Sequence, residues 1–271
     1  RDGQLTARGK TAGYGAFATA AAAVQLSSEP DLKQPDQWRL VGQAVSRLDV
    51  PQKVDGSAKY PMDISLPGML CAAVSACPVP RGRIQSFDAD PVRGMPGVVD
   101  VIALDEDVDR QLGRFESAVA VVADTWWNAS AALAKLKVSW KAGGFRKVGS
   151  DDIDAAAQQK LGEDLPQTEN AAGDAAAVMA TATRKVSAAY QRPYDFSAPM
   201  SPPAAVADVR EDGVDLWLFA KDSEVELRRA ALFLGRDPST VRVHPVFQGG
   251  SFGSGIMLDL SFQALALSRQ L

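Results

Sequence analysis

The sequence contains one histidine, His244, and only two cysteines, Cys71 and Cys77, among its 271 residues. A single histidine argues against a Ser-His-Asp triad and against any metal site built from several histidines. The two cysteines do not form a zinc-binding pattern. Residues six apart on one strand stand ~20 Å apart, beyond the ~7 Å that a disulfide spans. We therefore expect two free, partly buried thiols and a packing role for His244.

The sequence also lacks a basic stripe and a long apolar run. The sequence has 29 Lys and Arg and 33 Asp and Glu, which gives a net charge of −4. Because no cluster of Lys and Arg forms a basic stripe, no nucleic-acid partner is expected. The longest apolar run, Ala16 to Val24, is too short to span a bilayer. No signal peptide is visible after Arg1. Because the chain does not open on Met, we expect its true start to lie upstream.

Hydrophobic patterning predicts an α+β fold. Val98–Leu104 alternates like a half-buried strand, and the continuous apolar run Ala118–Ala123 is typical of a central strand. Helical spacing follows over Thr125–Leu136, with Asp124 or Thr125 as its cap. Strands mixed with one clear helix indicate a compact α+β domain between Tyr60 and Trp140.

The remaining patterns predict further elements on both sides of this domain. Residues 14–24 look helical, residues 31–59 look like an extended connector, and residues 151–183 hold two Ala-rich helices. Further strands are predicted at residues 70–76, 82–87, 138–140, 185–190, 214–220 and 241–247, and helices at residues 224–234 and 258–267.

A glycine-rich loop, Gln248 to Gly255, separates the last predicted strand from the last predicted helix. Glycine permits close approach and positive φ, so such a loop can present main-chain N–H groups to an anionic ligand. It lacks the Lys-Ser/Thr of a nucleotide-binding loop, and a simple turn is the alternative. The candidate cofactor-binding residues are Gly249, Gly250, Ser251, Phe252 and Gly253; no catalytic residue and no metal ligand is assigned.

Several segments resemble a known family in the same order. Arg47–Tyr60 with Leu66–Leu70, then Met95–Val99, then Ala118–Thr125 resemble the landmarks of the small hammerhead domain of molybdenum hydroxylases of the xanthine dehydrogenase/aldehyde oxidase family. Downstream segments resemble the cofactor-binding part of the same large subunit: Tyr190–Tyr194, Ala198–Pro202, Asp215–Trp217 and Gly249–Gly253. Trp38–Gly42 looks like the lead-in of the isoquinoline 1-oxidoreductase branch.

The resemblance implies a domain order. We expect a lead-in segment of the cofactor-binding region, a hammerhead α+β domain, a linker with helices, and the first part of a molybdopterin-binding α+β domain. The expected bounds are residues 1–39, 40–142, 143–184 and 185–271.

The resemblance also implies an activity. The subunit would belong to an oxidoreductase that hydroxylates aldehydes or N-heterocycles with a molybdenum–pterin cofactor. It would use a glutamate base that falls beyond Leu271 and pass electrons to an iron–sulfur subunit. A bacterial location is implied, with the periplasm preferred over the cytoplasm, and this chain alone is not expected to be active.

Four positions depart from the family pattern. Ser197 and Ser201 replace a His and a Glu, Lys221 falls where a Gln is expected, and Ser251 replaces the middle glycine of the loop. These departures leave open a non-catalytic binding or scaffold homologue that kept the fold and lost the site. The last predicted helix is apolar over more than one face, so we also expect either the remainder of the subunit or a second polypeptide to cover it.

Overall fold

The computed structural model describes residues 3–105, 116–163, 172–195, 197–253 and 259–271. They divide into two compact units, Arg1–Gly56 and Ser57–Leu271. The bounds of the four predicted segments stay predictions.

The first unit is small and largely exposed. It begins with an antiparallel hairpin of strands β1 (Gln4–Ala7) and β2 (Lys10–Gly13), which no hydrophobic pattern indicates because both strands are exposed. The predicted helix over residues 14–24 is reduced to a 3₁₀ turn and the short helix α1 (Ala18–Ala22). The predicted connector contains a helix as well, α2 (Val50–Asp55), because a proline in its first turn is preorganised for helix.

The second unit contains the other elements. Its strands are β3 (Cys71–Ala76), β4 (Arg83–Asp88), β5 (Val98–Leu104), β6 (Ala118–Ala123), β7 (Lys137–Lys141), β8 (Ala205–Val209), β9 (Val214–Leu218) and β10 (Val241–Pro245). Its helices are α3 (Asp90–Arg93), α4 (Trp126–Leu133), α5 (Ser150–Leu161), α6 (Ala175–Thr181), α7 (Ser223–Leu234) and α8 (Asp259–Gln270). The mixed sheets and helices confirm the predicted α+β class.

Strand β6 is the centre of the second unit. It pairs antiparallel with β3 on one side and β5 on the other, while β4 pairs with β7 in a separate ribbon. Its six residues are all buried, because alternate side chains enter two different cores. One face joins Leu216 and Phe262 of the downstream elements, and the other packs with Val92 and Ala132. The apolar run therefore forms the predicted central strand, with the predicted helix packed against its sheet.

The corner where β6 meets α4 depends on a glycine. Gly97 has φ +72°, and a Cβ there would lie 2.1 Å from Asp124 Oδ1. The Asp124 amide donates to the Gly97 carbonyl at 2.9 Å, and Asn128 Nδ2 donates to Asp124 Oδ1 at 2.7 Å. Thr125 caps α4, because its hydroxyl oxygen accepts from the Asn128 amide at 3.3 Å.

The downstream half is built around a strand–helix–strand unit. Strand β10 lies parallel to β9, and β8 pairs antiparallel with the other edge of β9. Helix α7, which connects β9 to β10, matches the predicted helix over residues 224–234. Asp222 caps it, and Gly235 with φ +64° follows its last residue.

Helix α8 corrects the expectation that a partner must cover it. Phe262, Leu265 and Ala266 are fully buried in the core that β6 and β9 share, and the helix packs on β8, α7 and β5. These elements all precede it in the chain. The apolar side chains of α8 are therefore already buried within this chain, and the helix needs no partner to cover them.

Other expectations have mixed outcomes. Cys71 and Cys77 are free, as predicted, with Cys77 buried and Cys71 partly so. Residues 185–190 do not form the predicted strand and are exposed. Trp126 and Trp127, in the predicted helix, are 54% and 75% exposed at the start of α4. Among the described residues, none of the helices is both long enough and apolar enough to cross a bilayer.

Candidate functional site

The glycine-rich loop follows β10, at the carboxyl edge of the parallel pair β9–β10. The Val246 amide donates to the Leu218 carbonyl at 3.1 Å, so the chain beyond β10 stays beside the end of β9. The carboxyl edge of parallel strands is where open α/β sheets bind ligands, because loops from neighbouring strands meet there. The loop therefore occupies a suitable place for a binding site.

The Ser197–Pro202 segment meets this loop directly. The Met200 amide donates to the Gly249 carbonyl at 3.1 Å. A Cβ on Gly249 would lie 2.5 Å from the Ser201 nitrogen, so only glycine allows this approach. The Ser197–Pro202 segment and the glycine-rich loop, which the family resemblance assigns to the same cofactor-binding region, are thus in contact although about fifty residues separate them in the sequence.

A small pocket opens beside this contact. Ser201, Gln248 and Phe219, which follows the end of β9, contribute to its wall together with Pro61 from the amino-terminal part of the unit. No sequence pattern indicated Pro61 as a site residue, and Gln248 was predicted only as the first residue of the loop, not as a candidate binding residue. Their meeting depends on the tertiary fold, so a local sequence signal for it does not exist.

Unusual backbone conformations concentrate in these two segments. Gly250 has φ +108° and Gly253 has φ +90°, while Phe252 and Ala198 adopt positive φ although they are not glycine. The described residues contain four non-glycine positions with positive φ, and two of them lie here. Such conformations cost free energy and persist where the surrounding structure imposes them, which occurs often at binding sites.

The loop fits an anionic cofactor group held by main-chain contacts. Within the part of the chain that the structure describes, no carbonyl accepts from the amides of Gly250 or Gly253. A Cβ at Gly253 would meet none of the described residues within 4 Å, so this part of the structure leaves the backbone open there. Backbone N–H groups in turns with positive φ form concave anion-binding surfaces, and Ser251 and Phe252 lie in the same turn.

The remaining predicted residues lie nearby or elsewhere. Lys221 follows β9 and is exposed, and Ser197 is half-buried in the segment that contacts the loop. Ser254 and Gly255, the end of the predicted loop, lie outside the described residues. The described residues contain no group of three or more His, Cys, Asp and Glu side chains that could hold a metal ion.

His244 is a packing residue, as predicted. Its ring stacks on Trp217 with centroids 4.7 Å apart, and its Nε2 lies 2.6 Å from Asp215 Oδ1. The pKa of the Asp215 carboxyl lies below its usual range because His244 and then Arg210 hydrogen-bond to it. This network ties β9 to β10 beneath the loop.

Comparison with known proteins identifies the family. Residues 158–270 match the molybdopterin cofactor-binding domain family, and this range includes the whole described loop. The chain is 30% identical over 265 residues to the isoquinoline 1-oxidoreductase subunit beta of Brevundimonas diminuta, covering 92% of this chain and 32% of that protein. Residues 158–270 therefore belong to the molybdopterin cofactor-binding domain family, as the resemblance implies, and the chain is similar over most of its length to oxidoreductase subunits.

Two further known proteins are similar to this chain, one in sequence and one in fold. The aldehyde oxidoreductase molybdenum-binding subunit PaoC of Escherichia coli O157:H7 is 27% identical over 252 residues, covering 85% of this chain and 34% of that protein. Quinoline 2-oxidoreductase from Pseudomonas putida 86 shares the fold, with a TM-score of 0.62 and 21% identity over 84% of this chain and 33% of that chain. The chain spans about a third of the length of these members of the molybdopterin-binding family.

Proposed function

We propose that this chain is part of a molybdopterin-dependent oxidoreductase subunit that oxidises aldehydes or N-heterocycles, and that it supplies one wall of the cofactor site. The observation that carries the proposal is the contact between the loop Gly249–Gly253 and the Met200–Ser201 segment. This contact lies within the region that matches the molybdopterin-binding family. The names of the curated relatives, which mention aldehydes and isoquinoline, support the substrate classes.

The residues of this chain would bind and orient the cofactor rather than carry out its chemistry. The amides of Gly250 and Gly253 would donate to an anionic group. The missing side chain at Gly253 lets that group approach, whereas the Phe252 ring lies beside Gly250. When bound, the molybdenum cofactor supplies two-electron redox chemistry. Gln248 and Ser201 line the adjoining pocket, where their polar groups would orient a bound molecule.

The whole enzyme would work with other chains. We propose an iron–sulfur electron-transfer subunit as its partner, because relatives of this chain are named as subunits. The alternative of a non-catalytic homologue has no support among the relatives described above, all of which carry oxidoreductase names. Serine at positions 197 and 201 is compatible with a role in lining the site.

The decisive experiment blocks the loop with a side chain. Gly253→Val in the whole subunit, co-produced with its partner in a host that makes the cofactor, adds bulk where the structure is open. We expect pterin and molybdenum content to fall about tenfold or more, because a lost hydrogen bond to a charged group has an effect of that size. Pterin is measured by fluorescence after oxidative release, and molybdenum by mass spectrometry of the purified protein.

Gly68→Val is the matched control. Gly68 has φ +73° and, like Gly253, no described residue within 4 Å of the place where a Cβ would stand. The two variants therefore carry similar backbone strain, but Gly68 lies away from the loop and Gly253 lies within it. The proposal requires loss of cofactor in Gly253→Val alone. Full pterin and molybdenum in a folded Gly253→Val protein would refute the assignment of the loop, and a cofactor-loaded wild type that oxidises neither substrate class would refute the activity.

A further inference from the structure

The turn that precedes β3 contacts the root of the glycine-rich loop. The Phe247 amide donates to the Lys59 carbonyl at 3.0 Å. The rings of Tyr60 and Phe247 lie with centroids 6.2 Å apart at an interplanar angle of 49°, within the range of attractive aromatic pairs. Pro61, the next residue, is buried and lines the pocket beside Gln248. Three consecutive residues therefore touch the loop or the residues that lead into it.

This turn is held in one conformation by its own hydrogen bonds. The Tyr60 amide donates to Asp63 Oδ2 at 3.0 Å, and the Asp63 amide donates to the Tyr60 carbonyl at 2.9 Å. Pro61 follows with a φ that its ring fixes. A turn closed on both sides presents the Lys59 carbonyl and the Tyr60 ring in a fixed direction.

The stretch leading into the loop is anchored to three separate segments. Val246 bonds to the end of β9, Phe247 bonds to Lys59, and Gly249 bonds to Met200. The Lys59 contact is the middle one of the three. Without it, the chain between Val246 and Gly249 would lose the anchor that sets the direction in which it leaves β10.

We propose that Tyr60 is a positioning residue for the Gly249–Gly253 loop, acting through its ring contact with Phe247. The turn Tyr60–Asp63 fixes the loop before any ligand arrives, so that its amides are preorganised. What the loop binds rests on the proposed function, whereas the positioning does not. The ring makes the contact, so phenylalanine at position 60 should preserve it.

Hydrogen–deuterium exchange of the whole subunit tests the proposal without relying on activity. In Tyr60→Ala, peptides covering residues 247–253 should exchange about three- to tenfold faster, the effect of losing one aromatic pair on local opening. Tyr60→Phe should restore the wild-type rate. Phe145→Ala is the matched control, because Phe145 is a partly exposed ring that contacts Arg81 rather than the loop.

A second variant keeps the test decisive if Tyr60→Ala does not fold. Asp63→Ala removes the acceptor that closes the turn and should raise exchange in the same peptides. Unchanged exchange over residues 247–253 in the folded variant, or an equal rise in Phe145→Ala, would overturn the proposal. The two proposals can fail separately. If exchange in the loop rises in Tyr60→Ala while Gly253→Val still holds its cofactor, Tyr60 positions the loop but the proposed function is refuted.

Discussion

Gly97 and Gly253 are two of the glycines of the second unit with left-handed φ, and they differ in what surrounds them. At Gly97 the space for a side chain is filled by Asp124 and Asn128, whereas at Gly253 none of the described residues lies within 4 Å of that space. The first glycine lets a sheet and a helix pack closely. The second leaves main-chain groups next to open space. Similar backbone conformations thus allow close packing at Gly97 and leave main-chain groups accessible to a ligand at Gly253.

The largest expected effect comes from filling the packed corner. Gly97→Ala would place a Cβ against Asp124, and relieving the clash would break the bond between Asp124 and Asn128. We expect the free energy of unfolding to fall by about 2–5 kcal/mol, combining left-handed strain with overpacking. Urea unfolding followed by tryptophan fluorescence measures it.

The companion variant at the open site sharpens this contrast. Gly253→Ala carries left-handed strain without a clash, so its cost should be about 1–2 kcal/mol. If Gly97→Ala and Gly253→Ala lower the free energy of unfolding equally, the atoms that surround each glycine have no effect on the cost of a side chain, and the contrast between the two sites is wrong.

A smaller effect is expected from the cap of α4 at the same corner. Thr125→Ala removes the hydroxyl that accepts from the Asn128 amide and should lower the free energy of unfolding by about 1 kcal/mol. Thr125→Ser keeps the oxygen and should recover most of the loss in the same urea titration. A serine variant as weak as the alanine variant would show that the methyl group, not the cap, stabilises the corner.

The smallest effect concerns the network beneath the loop. The folded-state pKa of Asp215 is depressed by His244 and Arg210, so its contribution to stability is present above the ordinary carboxyl pKa of about 4 and is lost as the pH falls below it. Asp215→Asn should therefore flatten the decline of the urea midpoint between about pH 5 and pH 3. Asp212→Asn, whose side chain is 88% exposed, should leave that decline unchanged.

Sequence reasoning succeeded where one residue pattern decides the outcome. The strand of the apolar run β6, the capped helix α4 and the helix α7 each follow from local preferences, and all three form. The loop Gly249–Gly253 was recognised from its glycines together with the family resemblance. The hydrogen bond from the Met200 amide to the Gly249 carbonyl could not be predicted from the sequence, because it depends on the tertiary fold.

The errors came from contacts between distant segments. Helix α8 was expected to need a covering partner because it is apolar over more than one face, but earlier elements of this chain cover it. Residues 185–190 have the composition of a strand and yet pair with no strand in the described parts of the chain. A strand needs a neighbour to satisfy its backbone groups, and composition alone does not supply one. The role of Tyr60 was missed for the same reason.

The central position of β6 has a consequence during synthesis on the ribosome. Strand β3 is made first, but its partner is β6, and Cys71 pairs with Ala123. At a translation rate of about 5–20 residues per second, β3 waits roughly 3–10 s before β6 exists to pair with it. During that interval the unpaired edge of β3 is open to other chains, and this risk of aggregation ends when β6 pairs with it.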